Sequence, residues 1–233
     1  MDDADERARR GWRGYTPFLL RIYDPIVLGV VAKVVWRIPK EALLESFRQL
    51  IGPTHLEVGP GTGWFLEKSG RLASTSLTIL DPNPNVLRHV TERLRDVPIT
   101  AIEADVLKPL PVDGPFASAG FNAVLHCLPG PPEYKEAALR NIAAVLAPDG
   151  VLFGATVLGR SGNHTWLGQR VLTVFNRQGG FDNLEDSAVW LRAALERSFE
   201  SVEVSEVGSL AVFVARNPVS PGRGDTPGDA AAG

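Results

Sequence analysis

The segment that most constrains this chain is His55-Leu56-Glu57-Val58-Gly59-Pro60-Gly61-Thr62-Gly63, in which glycines stand at alternate positions directly after a short apolar run. A strand ending in such a cluster, with a helix opening at Trp64, is the setting in which glycine lets backbone approach a ligand closely. The spacing also rejects one ligand class. In a dinucleotide fingerprint the third glycine stands three residues after the second, and that position here is Trp64, too bulky for tight helix-to-strand packing. NAD and FAD are disfavoured.

Around this cluster, short apolar runs alternate with helical segments, the pattern of a parallel sheet with crossover helices. Strands are expected at Thr54–Val58, Leu77–Leu80, Ile99–Glu103, Asn122–Cys127 and Val151–Thr156, and helices at Trp64–Gly70, Pro84–Arg95 and Glu133–Leu146. Pro148-Asp149-Gly150 reads as a tight turn, with Gly150 supplying positive φ. The stretch from 159 to 180 reads as an irregular inserted cap, followed by a helix over Glu185–Phe199. Ser201–Val207 and Leu210–Ala215, joined by Gly208-Ser209, suit an antiparallel edge hairpin. The expected fold is α/β and Rossmann-like, a mostly parallel seven-stranded sheet over residues 54–216.

Before the core, Val27, Val30, Val31, Val34, Val35 and Ile38 recur at helical spacing, and a second helix follows Pro39 through Ala42, Leu43, Phe47 and Leu50. Residues 1–53 are therefore expected to form a helical lid. The apolar stretch is shorter than the roughly 20 residues a bilayer needs and carries Asp24, Pro25 and Lys33, so no membrane span is expected. Residues 217–233 are rich in Pro, Gly and Ala and are expected to be a disordered tail.

Composition narrows the partners. With 24 Lys and Arg against 27 Asp and Glu, the formal charge is -3, which argues against nucleic acid. The single cysteine, Cys127, excludes an intramolecular disulfide and a Cys-rich zinc site, and fits a cytoplasmic protein without a metal.

A second signal stands in phase with the glycines. Leu77-Thr78-Ile79-Leu80-Asp81 is a strand ending in an acid about 24 residues after Glu57, near the spacing of a ribose-binding carboxylate. Alone, Asp81 would be an ordinary helix N-cap. Together, G-x-G-x-G and Asp81 resemble the class I S-adenosylmethionine (SAM)-dependent methyltransferases over residues 54 to 215. That resemblance implies SAM as cofactor and a small-molecule acceptor. It places Glu57 at the amino group of the methionine moiety, Gly59, Gly61 and Gly63 along its chain, and Asp81, Pro82 and Asn83 at the ribose and adenosine. Asp105, with Val106, falls where the family meets the adenine amino group. Tyr23, on the lid, would reach the methionine end. His126-Cys127-Leu128-Pro129-Gly130 and Asn176-Arg177-Gln178-Gly179-Gly180-Phe181 further resemble a group of bacterial and fungal small-molecule methyltransferases.

Methyl transfer from a sulfonium is an in-line displacement that positioning can accelerate without a dedicated base. His126, expected at the end of strand four, is the candidate catalytic base. Cys127, a lone thiol, reads as a small buried hydrophobe. His164 and Trp166 in the inserted cap are the candidate acceptor contacts. Pro131-Pro132-Glu133-Tyr134 lacks the asparagine needed to bond an amino group and is not a nucleic-acid amino-methylation loop. Two other outcomes share the same pocket: intramolecular attack within SAM that releases methylthioadenosine, and SAM binding without catalysis.

Overall fold

The computed structural model describes residues 40–160 and 163–219. Tyr23, the apolar repeat at 27–38 and the tail beyond 219 lie outside the described residues. The elements run α1 (Lys40–Leu50), β1 (Thr54–Val58), α2 (Trp64–Ser69), β2 (Ser76–Asp81), α3 (Pro84–Arg93), β3 (Ile99–Glu103), β4 (Phe116–Asn122), α4 (Pro132–Ala143), β5 (Leu146–Val157), α5 (Trp166–Gln178), α6 (Ala188–Glu196), β6 (Phe199–Val207) and β7 (Leu210–Pro218). No helix among the described residues is long and apolar enough to cross a membrane.

These strands form one seven-stranded sheet in the order β3-β2-β1-β4-β5-β7-β6. β1 to β5 pair in parallel, and β7 runs antiparallel to both β5 and β6. The chain winds outward from β1 to β3, then returns to lay β4 on the other side of β1. That reversal opens a crevice at the carboxyl ends of β1 and β4, where open α/β sheets bind ligands.

Both faces of the middle of the sheet are covered, so its central strands are largely apolar on both sides. Leu56, Val58, Leu80 and Phe121 join Leu139 of α4 and Leu191 of α6 in one core. Leu77, Ile79 and Phe153 join Phe47 of α1, Leu66 of α2 and Val90 of α3 in the other. Each large side chain fully buried in this way contributes about 1.5–3 kcal/mol. Three buried polar residues stand together on the second face: His55, stacked on Phe153 at 5.8 Å, Ser118 and Glu57.

The edge hairpin forms as expected, with Gly208 at φ 61 in its turn. β6 is the outer strand. Arg192 of α6 donates to the Val202 and Val204 carbonyls at 3.2 and 3.0 Å, and Glu200, Glu203 and Glu206 punctuate the strand.

Three expectations are corrected. β4 is Phe116–Asn122, not Asn122–Cys127. Its Ala, Ser and Gly residues have low strand propensity, and pairing on both sides overrides that preference. The strand stops at Ala123, whose φ is 58, and Leu125–Cys127 form a 3₁₀ turn. The irregular cap contains α5, capped by Thr165, whose side chain accepts from the Gly168 N–H, and ended by Gly179 at φ 74. Finally, Pro148-Asp149-Gly150 lies within β5, where the register with β4 shifts between Phe116 and Ser118. Gly150 has no positive φ; a Cβ there would stand 2.8 Å from the Ala147 carbonyl oxygen, so the need is for space.

Candidate cofactor and acceptor site

Gly59, Gly61 and Gly63 all have positive φ, at 67, 57 and 73, which fits glycine and few other residues. The Gly59 N–H donates to the Leu80 carbonyl at 2.8 Å, tying the loop to the end of β2 and setting it beside Asp81. The Gly63 N–H closes the turn on the Pro60 carbonyl at 2.9 Å, and Gly63 caps α2. A Cβ on Gly59 would strike Val124 at 2.3 Å, whereas one on Gly61 would meet nothing within 4 Å among the described residues. Among these residues the loop is thus packed at one glycine and open at the next.

Glu57 stands under this loop, only 2% exposed. Its Oε2 accepts from His55 Nε2 at 3.0 Å, and a Cβ on Gly120 would lie 2.0 Å from that same oxygen. Glycine at 120 is what makes room for the carboxylate. Burial pushes the Glu57 pKa above the usual carboxylate range, and the His55 hydrogen bond and charge partly oppose it.

At the end of β2, burial pushes Asp81 up to about 7, opposed by the Asn83 N–H that donates to Oδ1 at 2.8 Å. Asn83 caps α3, its Oδ1 accepting from the Asn85 N–H at 3.0 Å, behind Pro82. After β3, Asp105 accepts from the Leu107 N–H at 3.0 Å, and Val106 is buried in the core. Glu57 near the end of β1, Asp81 at the end of β2 and Asp105 just after β3 therefore stand at the carboxyl ends of three adjacent parallel strands.

Across the crevice, Asn122 ends β4 with its Nδ2 buried and no hydrogen-bond partner among the described residues. Such a donor calls for a ligand or water. Sequence reading missed it because strand four was expected to begin at Asn122, whereas it ends there.

His126 lies in the 3₁₀ turn instead of at a strand end, 5% exposed. Its Nδ1 accepts the Val157 N–H at 3.2 Å and lies 3.2 Å from Thr156 Oγ1. The proton of the neutral ring is therefore on Nε2, and the lone pair a base would use is occupied. Burial, with the Lys135 ammonium nearby, pushes the His126 pKa down to about 3. Cys127 is half-buried rather than buried, and burial around its sulfur pushes the thiol up to about 12, against the opposing Lys135 charge, which disfavours the thiolate. His126 packs edge-on against Phe181 at 4.4 Å, and Phe181 stacks on Phe175 at 4.9 Å.

The remaining acceptor candidates separate. His164 places Nε2 2.9 Å from the Leu158 carbonyl, a bond within its own loop, while Trp166 opens α5 and is 69% exposed, with Arg170 over its ring. Behind them stands a buried assembly that carries no local sequence signal. Lys135 of α4, fully buried, donates to both carboxylate oxygens of Asp186 at 2.8 and 3.0 Å and to the Asp182 carbonyl. Asp182 in turn donates its N–H to the His126 carbonyl at 3.0 Å and accepts from the Gly130 N–H at 2.9 Å. Asn183 Nδ2 donates to the Val157 carbonyl at 2.8 Å.

Comparison with known proteins bears on this geometry. A family model described as a methyltransferase domain matches residues 33–202. The chain is 34% identical over 213 residues to the demethylluteothin O-methyltransferase of Streptomyces thioluteus, covering 91% of this chain and 93% of that one. It is 40% identical over 179 residues to the N-methyltransferase vrtF of Penicillium aethiopicum, covering 76% and 75%. Among solved structures, the fold resembles the N-methyltransferase NodS of Bradyrhizobium japonicum WM9 in complex with S-adenosyl-L-homocysteine, with a TM-score of 0.61 and 16% identity over 94% of this chain and 100% of that one. The open space at Gly61, the buried Glu57 carboxylate and the unpartnered Asn122 amide fit a ligand with an ammonium at one end and polar groups along its length. The chain belongs to the class I SAM-dependent methyltransferases of the small-molecule type.

Proposed function

We propose that the enzyme methylates a hydroxyl group on a small, flat aromatic acceptor. The observation that carries this reading is the aromatic group of His126, Phe175 and Phe181; His126 lies in the 3₁₀ turn directly after Val124, which packs against Gly59 of the donor loop. Stacked and edge-on rings of this kind favour a planar guest. Two of the relatives support the choice of oxygen: the demethylluteothin enzyme and the physcion biosynthesis cluster enzyme of Aspergillus chevalieri are both O-methyltransferases.

In this reading Glu57 accepts the ammonium of the methionine moiety, the backbone of Gly59, Gly61 and Gly63 follows its chain, and Asp81 accepts from the ribose hydroxyls. Asp105 and Val106 meet the adenine, and Pro82 and Asn83 flank the adenosine. Bound SAM supplies an electrophilic methyl on a sulfonium. His126 acts at the reacting end as a donor through Nε2 and holds the acceptor in line; it is not a base, because Nδ1 is committed to Val157. The acceptor's own ionisation supplies the nucleophile. Trp166 is the acceptor contact on α5, and His164 fixes the loop that carries it. The single cysteine suits a reducing, cytoplasmic setting.

Incubation with SAM and matched sets of phenols and anilines, followed by chromatography, tests the proposal. S-adenosylhomocysteine formed with phenols and not with anilines is the expected result. Turnover of anilines alone, release of methylthioadenosine, or no turnover with any phenol would overturn it.

A further inference from the structure

Directly under the glycine loop, β1 and β4 bury three polar side chains: His55, Ser118 and Glu57, with His55 and Ser118 fully buried. They form one line. The Gly52 N–H donates to Ser118 Oγ at 2.8 Å, Ser118 Oγ stands 2.8 Å from His55 Nδ1, and His55 Nε2 stands 3.0 Å from Glu57 Oε2. With the ring neutral and Glu57 ionised, one proton placement follows. The serine, already accepting from Gly52, gives its own proton to Nδ1, so the imidazole carries hydrogen on Nε2 and donates to the carboxylate.

We propose that His55 is a positioning residue for the cofactor, holding Glu57 ionised and oriented so that one oxygen is anchored in the sheet and the other is left for the ligand's ammonium. The inference rests on the reading of Glu57 as the ammonium partner. Its physical basis is the burial of Glu57. A carboxylate taken this far from water reverts to its neutral form unless a donor stabilises the charge, and a neutral carboxyl loses its attraction for an ammonium. The surroundings offer no substitute. At the register of Glu57, β2 presents Ile79 and β4 presents Gly120, and β5 contributes Phe153 against the imidazole; among the described residues His55 is the charged or titratable group that acts on it. Because residues two apart on a strand share a face, His55 is placed to do this by sequence spacing alone. Ser118 is set opposite it by the β1–β4 register.

The test is calorimetric titration of the full chain with S-adenosylhomocysteine between pH 6 and 9, for wild type, His55→Leu, His55→Gln, Ser118→Ala and Glu57→Gln. His55→Leu is expected to weaken binding on the order of tenfold at pH 7, the equivalent of one pKa unit at the carboxylate, and to recover toward wild type as the pH rises. His55→Gln, which can keep an N–H near the Nε2 position, is expected to restore the wild-type profile. A purely structural role would lower affinity equally at every pH. Asp81 contributes the same slope to each of these proteins, so the difference belongs to Glu57. A His55→Leu profile parallel to wild type overturns the proposal. Should that variant not fold, Ser118→Ala and the tautomer decide. Ser118→Ala is expected to shift the profile in the same direction by a smaller amount. Nitrogen-15 spectra of the histidine rings in the wild-type protein are expected to show His55 protonated at Nε2. A proton on Nδ1 alone overturns the relay. If Glu57→Gln binds as tightly as wild type, the ammonium reading itself fails; if Glu57→Gln is weak while His55→Leu keeps the wild-type slope, only the relay fails.

Discussion

The two halves of the crevice are built by different means. On the donor side, β1 to β3 end in short loops whose conformation comes from the backbone: positive-φ glycines, the Gly59–Leu80 hydrogen bond and acids at successive strand ends. On the acceptor side, the turn after β4 and the segment before α6 are held by side chains distant in sequence: Lys135 on Asp186, Asp182 on Gly130 and Asn183 on Val157. The donor half is therefore specified locally and the acceptor half by tertiary contact. With the acceptor placed as proposed, such a division would leave the acceptor half free to change its guest while the methyl donor stays the same.

The sharpest way to break this contrast is to cut the acceptor half at its buried ion pair. Lys135→Met leaves the Asp186 carboxylate without its partner, and chemical denaturation is expected to show a loss of about 3–5 kcal/mol. Replacing both residues by apolar ones is expected to recover much of that stability. Cofactor affinity, measured in the single variant while it remains folded, is expected to stay within a few tenths of a kcal/mol of wild type, as for a distant independent site. A large loss of cofactor affinity would mean that the halves are coupled.

The donor half is probed next at Asp81. Removing its carboxylate with Asp81→Ala is expected to weaken binding of S-adenosylhomocysteine by about 1.5–3 kcal/mol with the fold intact, as calorimetry would register. The sign of the pH effect follows from a pKa raised to about 7 in the free protein. Above that value the group is already ionised and affinity is level; below it the ligand must displace a proton, and affinity falls by up to about tenfold per pH unit. In Asp81→Asn that slope shrinks without vanishing, because Glu57 is raised by burial as well.

The smallest expected effect lies at His126, on the border between the halves. Asparagine can accept from Val157 as the Nδ1 atom does, so His126→Asn is expected to cost far less than the roughly 10²–10⁴ in turnover that loss of a general base brings. The pH–rate profile of the variant is expected to follow the acceptor's ionisation, as in wild type. A loss of that full size, with a wild-type rate falling below an enzyme group near neutrality, would return the base role to this histidine.

What could be read from the sequence follows the same division. Glu57, the glycines and Asp81 lie in one strand-loop-helix and the next strand end, so spacing alone places them together. Strand four was expected at Asn122–Cys127 because Ala117, Ser118, Ala119 and Gly120 are small residues that become a strand only by pairing on both sides. With the strand went Asn122 and the tautomer of His126, which depends on a backbone N–H 31 residues away. α5 did carry its signals, Thr165 before it and Gly179 after it, but Gly168 and the surrounding glycines made the stretch read as a loop. Nothing near Lys135 announces Asp186, 51 residues on.

One more consequence belongs to the far side of the molecule. An open sheet ends in a strand with unspent backbone groups, and a second chain can add itself there, turning a monomer into the first unit of a fibre. On β6 that invitation is withdrawn. The guanidinium of Arg192 occupies the Val202 and Val204 carbonyls, and three glutamates confront any arriving strand of the same sequence with its own charge. Polymerisation by strand addition is disfavoured on this flank, and since the obstacle is partly electrostatic, concentrated salt weakens it.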